Sequence, residues 1–233
     1  MKLDILVFAA HPDDAELGCG GTIIKHTSNG FKVGVIDLTK GELGTRGSDK
    51  IRLEEAEAAS KIMNLTLREN LGFDDGFFVN DDLHKKVLIE KIRNYRPDII
   101  LTNAPSDRHP DHARASQLTI DSCFLSGLEK IDTNQKVWRP KAIYHYIQFN
   151  NLNPDFVVDI TTQFDQKIDA VRSYKSQFFD PKSKESNTII SSKDFFDSIE
   201  YRAKDLGRQT SCNFAEGFIS HQLPKLDFLN NFK

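Results

Sequence analysis

Apolar residues fall along this chain in short runs separated by longer amphipathic stretches. The first run, Leu3 to Ala10, is nearly continuous and partly β-branched, the pattern of a strand covered on both faces of a parallel sheet. After a polar turn, Gly20 to Ser28 predicts a helix ended by Asn29-Gly30, and Phe31 to Leu38 predicts a second strand rich in Val and Ile. The pattern then repeats. A glycine-rich loop, Gly41 to Gly47, leads into an Ala- and Glu-rich helix over about Asp49 to Met63, a short strand near Leu67 to Leu71 and a helix over Asp82 to Tyr95. Pro97 opens a further buried strand, Asp98 to Asn103, and another polar loop precedes a helix from about Ala113 to Leu125.

Beyond Trp138-Arg139-Pro140 the rhythm loosens, with strands expected at Ala142 to Ile147 and Phe156 to Ile160, and helices at about Thr162 to Ser176 and Lys193 to Leu206. The stretch between these helices, Asp180 to Ser192, is polar and serine-rich and reads either as a lid or as a solvated connection. Strands alternating with helices predict an α/β fold: a Rossmann-like, doubly wound, mainly parallel sheet with helices on both faces. Without a long linker or an internal repeat, one domain over residues 1–233 is the simplest organisation.

Composition narrows the function. The 233 residues are 39% hydrophobic and 28% charged, and Lys+Arg 31 against Asp+Glu 34 leave a net charge of -3. Nucleic acid and anionic membranes both attract dense clusters of Lys and Arg, so neither is expected as a partner. No apolar run is long enough for a membrane helix and Asp4 breaks the opening run, which points to a cytoplasmic protein acting on a small molecule. Cys19, Cys123 and Cys212 are odd in number and widely spaced, so reduced and mostly buried thiols are expected.

The loop after the first strand reads His11-Pro12-Asp13-Asp14-Ala15-Glu16, and the loop after the Asp98 to Asn103 strand reads Asp107-Arg108-His109-Pro110-Asp111-His112. Both follow strand C-termini, the edge at which open parallel sheets bind ligands where strand order reverses. Imidazole and carboxylate together suit a divalent cation, and His11, Asp14 and His112 could supply three ligands while leaving a position open. Asp13, beside that set, is a candidate proton acceptor. The bland alternative makes the aspartates helix caps and the histidines surface groups. His26, His84, His145 and His221 lack comparable neighbours.

These motifs, with Thr39-Lys40-Gly41-Glu42-Leu43-Gly44-Thr45-Arg46-Gly47, resemble the LmbE-like, PIG-L type zinc deacetylases over nearly the whole chain, most closely their bacillithiol-pathway branch. The resemblance implies removal of acetate from N-acetylglucosaminyl-malate or another N-acetylglucosamine-containing glycoside. It implies Zn²⁺ held by His11, Asp14 and His112, a mixed imidazole–carboxylate set that Fe²⁺ could also occupy. Asp13 would be the general base, His109 would stabilise charge, and Asp111 would pair with His109. Arg52 and Arg108 match positions that grip the malate carboxylates, although Arg52 could instead form a helix-face ion pair with Glu55. A homo-oligomer, with a hexamer as the candidate size, is also implied. The mycothiol branch carries tyrosine where this chain has Asp107, leaving the proton donor open between His109 and Asp13.

Two other classes compete. A dinucleotide-binding oxidoreductase would use Gly18-Cys19-Gly20-Gly21 and Asp37, but its third glycine would fall on Ile23, and Asp13, Asp14 and Glu16 would repel a pyrophosphate. A non-catalytic protein keeping zinc for structure would need a closed site with four protein ligands.

Overall fold

In the computed structural model, residues 1–225 and 227–228 are described. The opening apolar run forms β1 (Ile5–Ala9), followed by α1 (Asp14–Ser28), β2 (Val33–Thr39), α2 (Asp49–Ile62), β3 (Leu67–Phe73), α3 (Asp82–Tyr95), β4 (Ile99–Asn103) and α4 (Pro110–Leu125). The second half adds β5 (Ala142–Tyr146), β6 (Phe156–Asp159), α5 (Phe164–Arg172), α6 (Lys193–Gln209) and β7 (Ala215–Ser220). Among the described residues these strands build one seven-stranded sheet in the order β3-β2-β1-β4-β5-β7-β6.

β1 to β5 pair in parallel, and β7 runs antiparallel to both β5 and β6. Strand order reverses between β1 and β4, so the loops leaving these two strands flank a switch point. Side chains alternate across β1: Leu6 and Phe8 pack with Leu88 and Ile92 of α3 and Leu118 of α4, whereas Ile5 and Val7 pack with Ile23 and Ile24 of α1 and with Ala170 of α5. Helices therefore cover both faces, as expected. A third cluster joins α2, α5 and α6 through Ala59, Val171 and Ile199. Among the described residues no helix is long and apolar enough to cross a membrane.

The first helix departs from expectation in an instructive way. It begins at Asp14 rather than Gly20 and kinks at Cys19, whose φ of -144° is non-helical. The segment expected from Gly20 onward is thus the second half of a broken helix. Two buried backbone donors that follow the break, Gly21 N and Thr22 N, are satisfied at 2.9 and 2.7 Å by the Glu216 carboxylate of β7, which is also paired with buried Lys167 at 2.6 Å. Glu216 occupies the place a pyrophosphate would need, and Asp37 is bound to Arg68, so the dinucleotide reading fails.

The kink brings α1 close to its neighbours. A β-carbon at Gly21 would stand 2.7 Å from Ile160 Cδ1 and 2.9 Å from Ile160 Cβ and Cγ2. Gly21→Ala should overpack this contact and lower stability by about 1–3 kcal/mol. Urea unfolding should show a lower midpoint at an unchanged m-value.

Candidate active site and metal centre

The β1–α1 turn is tight. Asp13 takes a left-handed backbone (φ 114°) just before α1, and His11 N donates to Asp14 Oδ2 at 2.9 Å. On the other side of the switch, His109 caps α4, Pro110 starts it, and Asp111 and His112 occupy its first turn. His11, Asp13, Asp14, Arg52, Arg108, His109 and His112 all line one cavity of about 420 Å³. The sequence-predicted site residues therefore converge, apart from Asp111, which lies fully buried behind His11.

Asp14 forms the centre of the cluster. Its Oδ2 stands 3.5 Å from His11 Nδ1 and its Oδ1 stands 3.2 Å from His112 Nε2. Asn103 Nδ2 and Gln148 Nε2 donate to the same carboxylate at 3.1 and 2.7 Å. Two ligand atoms each bound to one tetrahedral cation stand roughly 3.3 Å apart, so these separations fit a shared ion. Donor atoms of His11, His109 and His112 lie within 4.8 Å of one another, and so do those of His11, Asp75 and Asp111.

Charge supports the same fit. Burial works against charge on the His11 imidazole, but Asp111, Asp14 and Asp75 outweigh it and hold its pKa well above the ordinary value. His112 is likewise opposed by burial yet raised to about 9 by Asp14 and Asp107. Burial acts against Asp14 too, and His112 and His11 hold it well below the usual carboxylate range. The pocket thus favours concentrated positive charge between the two imidazoles, which a divalent cation supplies in place of protons. A cavity that opens onto these groups is unlike a closed four-ligand structural site.

Asp13 differs from its neighbour. Burial raises its pKa to about 7, while Arg52, with Nη2 2.9 Å from Oδ2, partly offsets that rise. Arg52 also donates to Pro12 O and, at 3.2 Å, to Gln177 Oε1. The helix-face pair with Glu55 does not form, because the Glu55 carboxylate is taken by Ser176 N and Oγ at 2.7 Å each. Arg108 lies over the Phe149 ring at 4.9 Å and forms no ion pair among the described residues.

One expected pairing needs correction. The Asp111 carboxylate does not hold the His109 ring: it meets His11 Nε2 at 3.2 Å, Gly76 N at 2.8 Å and Arg114 Nη1 at 2.7 Å. Only the backbone N–H of Asp111 reaches His109, donating to Nδ1 at 3.3 Å. Burial, then His11 and His112, lower the His109 pKa, and because Nδ1 accepts the Asp111 N–H, the ring hydrogen sits on Nε2. The serine-rich stretch is neither remote nor featureless: Thr188, Ile189 and Ile190 form part of the cavity wall.

Asp75, in the turn after β3, escaped the sequence reading although its Oδ1 lies 3.0 Å from His11 Nε2. Asp-Asp-Gly reads as an ordinary turn, and the available signal was its position at the same C-terminal sheet edge as the two histidine loops.

Residues 6–123 match the family PIG-L, described as GlcNAc-PI de-N-acetylase. A diacetylchitobiose deacetylase of Thermococcus kodakarensis is 31% identical over 186 residues, covering 75% of this chain and 70% of its own. The chain belongs to the PIG-L family. PIG-L membership accounts for the LmbE-like motifs and makes the chain a hydrolytic enzyme. A crystal structure of a conserved protein of Thermus thermophilus superposes with a TM-score of 0.88 at 34% identity, covering 97% of this chain and 98% of that one. The 4-oxalmesaconate hydratase of Pseudomonas putida is 26% identical over 74% of this chain and 73% of its own, so the PIG-L scaffold also carries a differently named activity.

Proposed function

We propose that this PIG-L protein is a zinc-dependent deacetylase of an N-acetylglucosaminyl conjugate, with N-acetylglucosaminyl-malate as the favoured substrate. The observation that carries this reading is Asp14 between His11 Nδ1 and His112 Nε2, on the wall of a cavity that Asp13 and His109 also line. His11, Asp14 and His112 would hold the cation, which when bound supplies Lewis-acid polarisation of the amide carbonyl and acidifies water. Asp13 accepts a proton from the attacking water, with one carboxylate oxygen steadied by Arg52. His109, whose Nδ1 accepts the Asp111 N–H and whose Nε2 carries the ring hydrogen, donates a hydrogen bond from Nε2 to the developing oxyanion. Arg108, free of ion pairs among the described residues, offers its guanidinium to a carboxylate of the aglycone.

The test is acetate release from N-acetylglucosaminyl-malate and from plain N-acetylglucosamine by zinc-loaded protein. Faster turnover of the malate conjugate is expected. Chelation should abolish acetate release while far-UV circular dichroism stays folded, and Zn²⁺ should restore activity. Hydration of an unsaturated dicarboxylic acid without acetate release would replace the proposal with a hydratase.

A further inference from the structure

We propose that Asp75 and Asp107 are positioning residues that fix opposite ring nitrogens of His11 and His112, leaving His11 Nδ1 and His112 Nε2 as the lone pairs offered to a cation. This inference rests on the metal reading above.

The histidine rings are held from behind in two separate loops. His11 Nε2 lies 3.0 Å from Asp75 Oδ1 and 3.2 Å from Asp111 Oδ2. Both carboxylates are already acceptors: Leu43 N donates to Asp75 Oδ2 at 3.0 Å, Gly76 N to Asp111 Oδ2 at 2.8 Å, and Arg114 Nη1 to Asp111 Oδ1 at 2.7 Å. A ring nitrogen between two such oxygens carries its hydrogen. In the neutral imidazole that leaves Nδ1 unprotonated, and Nδ1 is the atom 3.5 Å from Asp14 Oδ2.

His112 repeats the device with the nitrogens exchanged. Its Nδ1 lies 2.8 Å from Asp107 Oδ2, while Asp107 Oδ1 accepts from Arg108 N at 2.8 Å and Asn150 N at 3.0 Å. Nε2 is left facing Asp14 Oδ1 at 3.2 Å. Asp107 therefore faces a ring hydrogen and two backbone N–H groups, an environment for a fixed carboxylate rather than a proton donor to substrate.

Asparagine at either position has one carbonyl oxygen and one NH₂ group. At Asp75 the NH₂ must meet either Leu43 N–H or His11 Nε2–H. At Asp107 it must meet the Arg108 and Asn150 N–H groups or the His112 ring. Each substitution thus sets donor against donor and loosens the hold on its ring, with Asp111 left as the remaining carboxylate partner of His11 Nε2 in Asp75→Asn. Loss of such an orienting carboxylate typically weakens metal binding by roughly 10–100-fold.

Zinc affinity and stoichiometry should be measured by competition with a chromophoric chelator for the wild type, Asp75→Asn, Asp107→Asn and Asp74→Asn. Asp74 is exposed, so its substitution removes the same charge without touching a ring. We expect one tight ion per chain, a loss of about 10–100-fold in affinity for Asp75→Asn and Asp107→Asn, and little change for Asp74→Asn. Ring-nitrogen NMR of zinc-loaded protein should show metal on His11 Nδ1 and His112 Nε2, with hydrogen on the other nitrogen of each. If Asp75→Asn fails to fold, Asp107→Asn and the wild-type spectrum decide. Equal losses in all three variants, the reverse nitrogens, or a second ion lost with Asp75 would overturn the positioning role while leaving the metal reading intact. Absence of tight zinc binding in the wild type would sink both.

Discussion

Replacing Asp13 by asparagine is expected to lower kcat for acetate release by about 10²- to 10⁴-fold, the contribution of a positioned general base. The substitution preserves size, and asparagine tolerates the left-handed backbone that Asp13 adopts at φ 114°. One carbonyl oxygen remains for Arg52, which now stands 2.9 Å from Asp13 Oδ2. What disappears is the ability to accept a proton. Because Asp13 does not stand between the imidazoles of His11 and His112, zinc content should remain near one ion per chain. KM should change little if the base acts mainly after substrate binds. Steady-state kinetics with metal content determined on the same samples checks this. A drop in kcat smaller than tenfold would move the base to another residue, and loss of zinc would make Asp13 a ligand.

The backbone conformation at Asp13 bears on the same point. Non-glycine residues rarely sit at such a φ, and holding one there costs on the order of 1–3 kcal/mol. The turn is held by Asp14 accepting from His11 N, by Leu17 N donating to Asp13 O, and by the Arg52 contact. Strain maintained from three directions at a residue that lines the cavity is consistent with pre-organisation of a carboxylate.

How much of this was legible in the sequence depends on the range of the signal. The loops His11–Glu16 and Asp107–His112 announced themselves because each follows a continuous apolar run, and the parallel order that brings them together follows from strand–helix alternation. β7 did not, since Ala215-Glu216-Gly217 interrupts its apolar pattern; Glu216 is there for α1, nearly two hundred residues earlier. The same long-range contact explains why the first turns of α1 were unreadable: Cys19 leaves helical geometry where a distant carboxylate meets the following N–H groups. The family resemblance pairs Asp111 with His109, whereas its carboxylate meets His11. In the fold, α4 aims its carboxylate across the switch point at His11.

The second large effect is expected on stability. Arg68→Met should destabilise the protein by about 3–5 kcal/mol, enough to remove much of the 5–15 kcal/mol typical of a folded domain. Arg68, on β3, binds Asp37 of β2 through Nε at 2.8 Å and Nη2 at 2.9 Å, and reaches Glu16 of α1 through Nη1 at 2.6 Å. Both carboxylates are almost completely buried, at 1% and 0% exposure. Burial pushes the Asp37 pKa up even with Arg68 opposing it, so the desolvation cost is only partly offset now. Glu16 keeps Tyr174 as a donor at 3.0 Å but has one oxygen without a partner. Removing the guanidinium leaves two buried anions with no cation between them. In the variant the Asp37 pKa should rise further above its unfolded value, so the penalty is full at neutral pH and shrinks as pH falls toward roughly 4, where that carboxylate takes up a proton. Urea unfolding of wild type and variant at several pH values measures this. Arg68→Met combined with Asp37→Asn and Glu16→Gln should recover part of the loss, because neutral amides avoid the charge repulsion. A loss below 1 kcal/mol at pH 7, or one that grows on acidification, would show that the two carboxylates do not depend on Arg68.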